Sequence, residues 1–184
     1  MLQFRRSLPG ERVIFGKRGL RLTKKSKYAV RALMELALNE CGSPLGAYEI
    51  ARRQHIPERF LEQIFGDLRR AGILESHRGA HGGFCFAVPP EEITVLDIVE
   101  ILDGEVRPAR CSAGGQCYIA DAPLCATSEI WDEARVALES VFGRYTISEI
   151  ADKERGTRAA RARLDADEES AGTRPEPATT SVTG

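Results

Sequence analysis

Three cysteines lie close together in the second half of the chain, within the segment CSAGGQCYIADAPLC. They are Cys111, Cys117 and Cys125, and the residues between them show no regular apolar period. Thiolates are soft ligands that favour iron–sulfur clusters, zinc or copper(I). Because the segment is rich in Gly, Ala and Pro, we expect a flexible loop in which the three sulfur atoms converge. The sequence therefore predicts a thiolate-ligated metal site.

Other chemistry remains open to these cysteines. A closed zinc site normally has four ligands with at least one close Cys-x₂₋₄-Cys pair, which this segment lacks. Loop thiolates can also form disulfides as a metal-free redox switch, and a loop that only binds a partner protein is a third alternative. Cys41, at a predicted helix end, and Cys85, on a predicted strand, are expected to be structural rather than ligands.

The elements that precede the cysteines begin with two predicted helices. Thr23 is a capping residue type, and it opens a helix that ends before Gly42 and Pro44. A second, short helix from about Gly46 to Gln54 is followed by a tight turn at His55. A short helix and a tight turn in this position favour a helix-turn-helix unit.

The third predicted helix has the most regular apolar pattern. Pro57 opens it, because a proline at the first helical position loses no hydrogen bond, and the helix ends before Gly72. Its apolar stripe follows the i, i+3, i+4, i+7 spacing and consists of Leu61, Ile64, Phe65 and Leu68. Two strands, residues 73–76 and 84–88, then flank the glycine-rich basic tip HRGAHGG. This order of elements predicts a winged helix-turn-helix, which is a DNA-binding fold.

Six residues of this unit are predicted to contact DNA: Lys24, Tyr28, Arg59, Glu62, Gln63 and Arg78. The Arg, Glu and Gln of the third helix lie opposite its apolar stripe and suit the guanine, cytosine and adenine edges of the major groove. The wing-tip arginine, flanked by glycines, is placed for the minor groove or for phosphates. The Lys and Tyr at the start of the first helix are placed for phosphate contacts.

The rest of the chain is predicted to hold the cysteine loop and to pair two subunits. A fourth helix from about Thr94 to Leu102 precedes the loop, a longer helix from about Ala126 to Tyr145 follows it, and a short helix ends at about Lys153. The apolar residues of the longer helix are spaced 4, 4, 3 and 4 apart: Ile130, Ala134, Leu138, Val141 and Tyr145. This narrow seam suits helix pairing between subunits, and packing on its own domain is the alternative.

The expected fold class is mainly α: a winged helix-turn-helix with a two-stranded wing, a cysteine loop and a long dimerisation helix. Four parts follow in order. Residues 1–19 form a basic, disordered extension, and residues 20–90 form the DNA-binding domain. Residues 91–155 carry the metal-binding loop and the dimerisation helices, and residues 156–184 form a disordered tail.

The charge distribution supports a polyanionic partner. Residues 1–81 hold 16 Lys and Arg against 8 Asp and Glu, a net of +8, whereas residues 82–184 hold 10 against 19, a net of −9. No apolar run is long enough for a bilayer and the start lacks a secretory signal, so we expect a cytoplasmic protein. No nucleophile–base pair, phosphate loop or carboxylate pair stands out, so an enzyme is not expected.

The chain resembles the iron–sulfur winged-helix regulators typified by IscR, NsrR and RirA. The matching stretches are RLTKKSKYAVRALMELAL, IPERFLEQIFGDLRRAGILES, RGAHGGF, the three-cysteine segment and TSEIWDEARVAL, in the family's order over roughly Leu20 to Lys153. The resemblance implies a homodimer on a palindromic operator and a [2Fe–2S] or [4Fe–4S] cluster on Cys111, Cys117 and Cys125. The expected function is that of a sequence-specific regulator, a repressor, whose DNA affinity responds to iron, redox state or nitric oxide.

The chain departs from the family at the fourth cluster ligand. IscR-like members have a histidine three residues after the last cysteine, where this chain has Ser128, and NsrR-like members have an aspartate where it has Lys27. The candidates are Ser128, Glu129, a residue of the other subunit or an exogenous molecule. We expect a labile sensor more like RirA or NsrR. Some members of the wider superfamily lack a cluster, so a regulator controlled by thiol oxidation or by a partner protein is the alternative.

Overall fold

A computed structural model describes residues 23–39, 43–79, 82–109 and 127–172, with side chains up to residue 166. The predicted extension over residues 1–19, Cys41 and the three clustered cysteines all lie outside this part of the chain.

Over the described residues, the chain forms six helices and one two-stranded antiparallel sheet. In chain order they are α1 (Lys24–Ala37), α2 (Ala47–Gln54), α3 (Glu58–Arg70), β1 (Leu74–His77), β2 (Gly83–Phe86), α4 (Val95–Asp103), α5 (Ser128–Arg144) and α6 (Ile147–Gly172). The mainly α fold with a two-stranded wing is confirmed.

The core lies where α1, α2 and α3 meet, and α4 and the start of α6 close it. The four apolar residues predicted for α3 are all completely buried, together with Leu33 of α1 and Ile50 of α2. Phe65 of α3 meets Phe84 of β2 edge to face, with ring centroids 4.8 Å apart. Burying one such side chain contributes about 1.5–3 kcal/mol. The buried face of α3 is therefore fixed, and its opposite face is left to solvent.

The ends of α1, α2 and α3 follow from their capping residues. The Thr23 hydroxyl accepts a hydrogen bond from the Lys25 backbone N–H at 3.1 Å and so caps α1. His55 ends α2 in the left-handed conformation, with φ of 51°, and its N–H bonds to the last turn of the helix. Pro57 precedes α3 as its cap, so Glu58 is the first helical residue. The tight turn predicted at His55 is therefore the C-terminal cap of α2.

The wing is paired to the body of the domain through Leu45. The backbone N–H groups of Leu45 and Phe84 each donate to the other residue's carbonyl oxygen at 3.0 Å, which adds a short bridge beside the β1–β2 pair. A Cβ atom on the neighbouring Gly83 would lie 2.5 Å from the carbonyl carbon and oxygen of Leu45. Only glycine fits this contact between backbones.

Replacing Gly83 by alanine is expected to lower the free energy of unfolding by about 1–3 kcal/mol, because the added methyl group would push Leu45 away from the wing. Urea denaturation followed by circular dichroism measures the change. The matched control is Gly156→Ala in α6, where the new Cβ meets no atom within 4 Å. This control is expected to leave stability unchanged or to raise it by up to about 1 kcal/mol. Equal stability of the two variants would contradict the expectation.

The helices around the cysteine segment are joined to one another by backbone hydrogen bonds. The Val95 N–H donates to Tyr145 at 3.0 Å and the Ile147 N–H donates to Ile93 at 2.9 Å, so the junction of α5 and α6 is held against the start of α4. Thr94 and Asp97 form a reciprocal capping box at the start of α4.

The prediction of a short last helix and a disordered tail from residue 156 is wrong for residues 156–172, which continue α6 as part of one 26-residue helix. Ala and Arg, which have high helix propensity, dominate residues 158–164. Glu154 accepts from Arg158 at 2.9 Å one turn on, which supports the same helix. Compositional polarity was therefore misleading, because an exposed helix needs no apolar stripe when it is anchored at its start. Residues 173–184 of the predicted tail lie outside the described part.

Candidate nucleic-acid interface and the elements that position it

The exposed face of α3 carries the three predicted base-reading residues. Arg59, Glu62 and Gln63 are all exposed, on the side opposite the buried stripe. With the next turn of the helix they line a shallow surface depression formed by Arg59, Glu62, Gln63, Gly66, Asp67 and Arg70. Arg59, Glu62 and Gln63 are polar or charged and open to solvent, so they are available to contact base edges.

The start of α1 adjoins this depression. Lys25 forms an ion pair with Asp67 of α3, and Arg70 pairs with the same carboxylate. The Lys25 ammonium holds the pKa of Asp67 below its usual range. Tyr28 meets Phe60 of α3 edge to face at 5.9 Å. The structure thus places the two predicted phosphate contacts, the exposed Lys24 and the half-buried Tyr28, next to the predicted base-reading helix.

The wing is held against α3 and carries the sixth predicted contact. Arg69 of α3 donates to the Ser76 hydroxyl of β1 at 3.2 Å. Arg78 follows β1 directly and is exposed. Gly79 has φ of 118°, a conformation that favours glycine, and the Gly82 N–H donates to its carbonyl at 2.9 Å. Arg78 therefore lies between the end of β1 and a tight turn that the Gly79–Gly82 hydrogen bond closes.

A buried carboxylate ties α1, α2 and α6 together, and sequence reasoning did not identify it. Glu35 of α1 is completely buried. It accepts hydrogen bonds from Gln54 at 2.6 Å, from Arg53 at 3.2 Å and from Arg158 at 2.6 Å. Burial raises the pKa of Glu35, but the hydrogen bonds from Arg158, Gln54 and Arg53 outweigh it, so the pKa lies below its ordinary value.

Helix α4, which precedes the cysteine segment in the chain, is anchored to the DNA-binding unit. The Thr23 N–H and hydroxyl donate to the Asp103 carboxylate at 3.0 and 2.6 Å, so the end of α4 is fixed to the start of α1. Helix α4 also packs against α3 and α5. Ser128 is the first residue of α5, and Lys27 is exposed in the first turn of α1. The position of either residue relative to the three cysteines lies outside the described residues.

Cys85, predicted to be structural, lies on the outer face of the wing beside Glu75 and His77. Burial raises the pKa of its thiol to about 11, and a hydrogen bond to the Glu75 carboxylate adds to the effect. A thiol with so high a pKa is a poor nucleophile at neutral pH.

Comparison with known proteins identifies the family. Residues 22–153 match the model of Rrf2, described as an iron-dependent transcriptional regulator. The chain belongs to the Rrf2 family. It is 34% identical to protein rrf2 of Nitratidesulfovibrio vulgaris, over 71% of this chain and 87% of that protein. It is 32% identical to the HTH-type transcriptional regulator IscR of Escherichia coli, over 73% of this chain and 82% of that protein. The structure of CymR, the global cysteine regulator of B. subtilis, matches it with a TM-score of 0.63 at 30% identity, covering 73% of this chain and 98% of CymR.

This Rrf2 protein is therefore a DNA-binding transcriptional regulator, and the resemblance stated from the sequence is confirmed. The relatives are transcriptional regulators and not enzymes, so the expectation that this chain is not an enzyme is confirmed. Within the described ranges, no helix combines the length and the apolarity that crossing a membrane requires.

Proposed function

We propose that this Rrf2 protein is a sequence-specific repressor that binds a palindromic operator as a homodimer, under the control of an iron–sulfur cluster. The observation that carries the proposal is the exposed face of α3, where Arg59, Glu62 and Gln63 stand together above a completely buried apolar stripe. These side chains reach guanine, cytosine and adenine edges when the helix enters the major groove. Arg78 of the wing contacts the adjacent minor groove, and Lys24 and Tyr28 contact phosphates.

The surface of α5 supports the homodimer. In the described chain, none of the 17 residues of this helix is buried. Ile130 and Val141, which belong to the seam predicted from the sequence, are 58% and 44% exposed. Trp131 and Val136 are also exposed but lie outside that seam. A 17-residue helix with large apolar side chains in water is stabilised when a second helix covers them. The occupant we propose is α5 of a second copy, paired through the seam predicted from the sequence.

The donor set supports the cluster. Cys111, Cys117 and Cys125 supply three thiolates within 15 residues, and thiolate sulfur is the usual protein ligand of iron–sulfur clusters. Ser128 follows the last cysteine by three residues at the start of α5 and is the first candidate for a fourth ligand, with Glu129 next to it. A bound cluster, [2Fe–2S] or [4Fe–4S], supplies a centre that reacts with oxygen or nitric oxide or loses iron.

The packing around α4 supports the coupling between the cysteine segment and the DNA-binding face. The segment joins α4 to α5, and α4 packs against both α1 and α3. The bonds from Thr23 to Asp103 fix the end of α4 to the helix that carries Lys24 and Tyr28. Ordering the segment therefore shifts α5, and with it the separation of the two α3 helices in the dimer.

The cluster is expected to change operator affinity by at least about tenfold, which corresponds to about 1.4 kcal/mol of coupling. The protein is purified without oxygen and its absorption, Mössbauer spectrum and iron content are measured. Its affinity is then measured by fluorescence anisotropy on a DNA site obtained by in vitro selection, before and after chelation of the iron. Replacing Cys111, Cys117 and Cys125 by alanine is expected to abolish iron binding and the affinity difference together.

Cys41→Ser serves as the matched control and is expected to retain iron and regulation. Colourless, iron-free protein with unchanged DNA binding would overturn cluster control. The similarity to CymR, a global cysteine regulator, favours one second candidate, a cluster-free regulator controlled by thiol oxidation or by a partner protein. If a partner protein controls DNA binding, that control is expected to persist when the three cysteines are replaced by alanine. Thiol control instead appears as a response of wild-type DNA binding to oxidant in the absence of iron.

A further inference from the structure

Three chemically different ligand groups meet on the outer face of the wing. In the β1–β2 pair, Glu75 lies directly opposite Cys85, and His77 follows Glu75 by two residues. Side chains two residues apart, and side chains directly opposite in an antiparallel pair, project from the same face of a sheet. Leu74 and Ser76 point the other way, towards the core and Arg69. The sheet therefore gathers a carboxylate, an imidazole and a thiol on the face that points away from α3.

The three ligand atoms form a nearly equilateral triangle. His77 Nε2 lies 3.1 Å from Glu75 Oε1 and 3.0 Å from Cys85 Sγ, and Cys85 Sγ lies 3.2 Å from Glu75 Oε1. At most two hydrogen atoms are available for these three contacts, one on the thiol and one on Nε2, because an ionised carboxylate has none. Hydrogen bonds therefore account for at most two of the three close contacts.

We propose that Glu75, His77 and Cys85 form a binding site for a borderline-soft divalent cation of the zinc class, separate from the three clustered cysteines. Sulfur, nitrogen and oxygen ligands in one set are characteristic of zinc sites. With bonds of about 2.0–2.3 Å in tetrahedral geometry, ligand atoms lie about 3.3–3.6 Å apart, so the triangle needs to open by only a few tenths of an ångström. A cation at the centre of the triangle would bind all three ligand atoms and so account for all three close contacts.

The site is accessible and keeps one position open. The side chains of His77 and Glu75 are 50% and 56% exposed, so an ion reaches them from solvent without any rearrangement of the core. Three protein ligands leave the fourth tetrahedral position to water. This arrangement suits an exchangeable ion better than a permanent structural one.

An ion at this position cross-links the wing next to its DNA-facing tip. It joins β1 to β2 through residues of both strands, and His77 immediately precedes Arg78. Outside the sheet ladder, the described part of the tip is closed by the bond from Gly82 to Gly79. The bound cation therefore restricts the hairpin from which Arg78 projects.

The test uses the full-length chain with Cys111, Cys117 and Cys125 replaced by alanine, so that the proposed cluster cannot contribute. Co²⁺ added without oxygen is expected to bind once per chain and to give a thiolate-to-cobalt charge-transfer band with tetrahedral ligand-field absorption. Excess Zn²⁺ is expected to remove both. Cys85→Ser should abolish the charge-transfer band, and His77→Ala should weaken Co²⁺ binding at least about tenfold.

Cys41→Ser in the same background is the matched control and should leave the spectrum unchanged. Circular dichroism checks the fold of each variant. If Cys85→Ser does not fold, the Co²⁺ affinities of Glu75→Gln and His77→Ala are measured instead, and both are expected to be lower than that of the parent. Zn²⁺ is also expected to slow trypsin cleavage after Arg78 in the parent but not in His77→Ala. A parent without a charge-transfer band, or a band that persists in folded Cys85→Ser, overturns the site.

Discussion

Replacing Arg53 and Arg158 together by alanine is expected to lower the free energy of unfolding by about 3–5 kcal/mol. Both guanidinium groups donate to Glu35, whose carboxylate is completely buried. Without them, Gln54 remains as the donor to a carboxylate that is completely buried in the native protein. The double variant also removes the tie between Arg158 of α6 and Glu35 of α1, while Ile147 and Ala151 still pack the start of α6 against the core. Urea denaturation at pH 7 measures the loss.

The decisive control adds Glu35→Gln to the double variant. A neutral amide needs no cation, so this triple variant is expected to recover much of the lost stability even though it removes one more native side chain. A second control, Arg52→Ala with Arg161→Ala, removes two exposed arginines and is expected to change stability by less than about 1 kcal/mol. A triple variant no more stable than the double variant would show that the arginines act through packing and not through charge.

The pH dependence of stability should reverse sign between the wild type and the double variant. In the wild type the pKa of Glu35 lies below its ordinary 4.5, so the contribution of this group is complete above that pH and is lost as the pH falls through the lowered value. In the double variant the two arginines no longer lower the pKa of Glu35, and burial, the largest influence on this group, is expected to raise it. The ionised group then destabilises the fold at neutral pH, and lowering the pH relieves this by protonating it.

The parts of the fold that were predictable are those set by local patterns. The stripe of four apolar residues in α3 predicted which face is buried and therefore which residues are exposed, and the structure confirms both. Thr23 and His55 also occupy the capping and turn positions that their residue types and spacing suggested. In each case the cause lies within about four residues of its effect.

The features that were missed depend on residues far apart in the chain. Glu35 looks like a surface residue in sequence, because its partner Arg158 is 123 residues away and α6 was not expected to continue that far. The triad of Glu75, His77 and Cys85 requires the strand register, since a shift of one residue would turn Cys85 to the other face. Patterns within one element carry no information on either pairing.

Arg59→Ala is expected to weaken operator binding by about 2–6 kcal/mol, or roughly thirtyfold to beyond ten-thousandfold. This rests on the proposed function. One bidentate contact to guanine contributes about 1–3 kcal/mol of discrimination, and in a homodimer on a palindrome the substitution is made twice. Because Arg59 is exposed on α3 and shares a depression with Glu62 and Gln63, its loss should leave the free energy of unfolding almost unchanged.

Two matched variants separate base reading from simple loss of charge. Lys24→Ala, at the start of α1, should weaken binding to all sequences alike and reduce the dependence of affinity on salt by roughly one counterion per subunit. Arg161→Ala, exposed on α6, should change neither affinity nor specificity. Arg59→Ala should instead relax discrimination at one base of each half-site, which competition with single-base operator variants measures. If Arg59→Ala reduced the salt dependence as Lys24→Ala does and kept full discrimination, Arg59 would be a phosphate contact and α3 would read its operator through Glu62 and Gln63 alone.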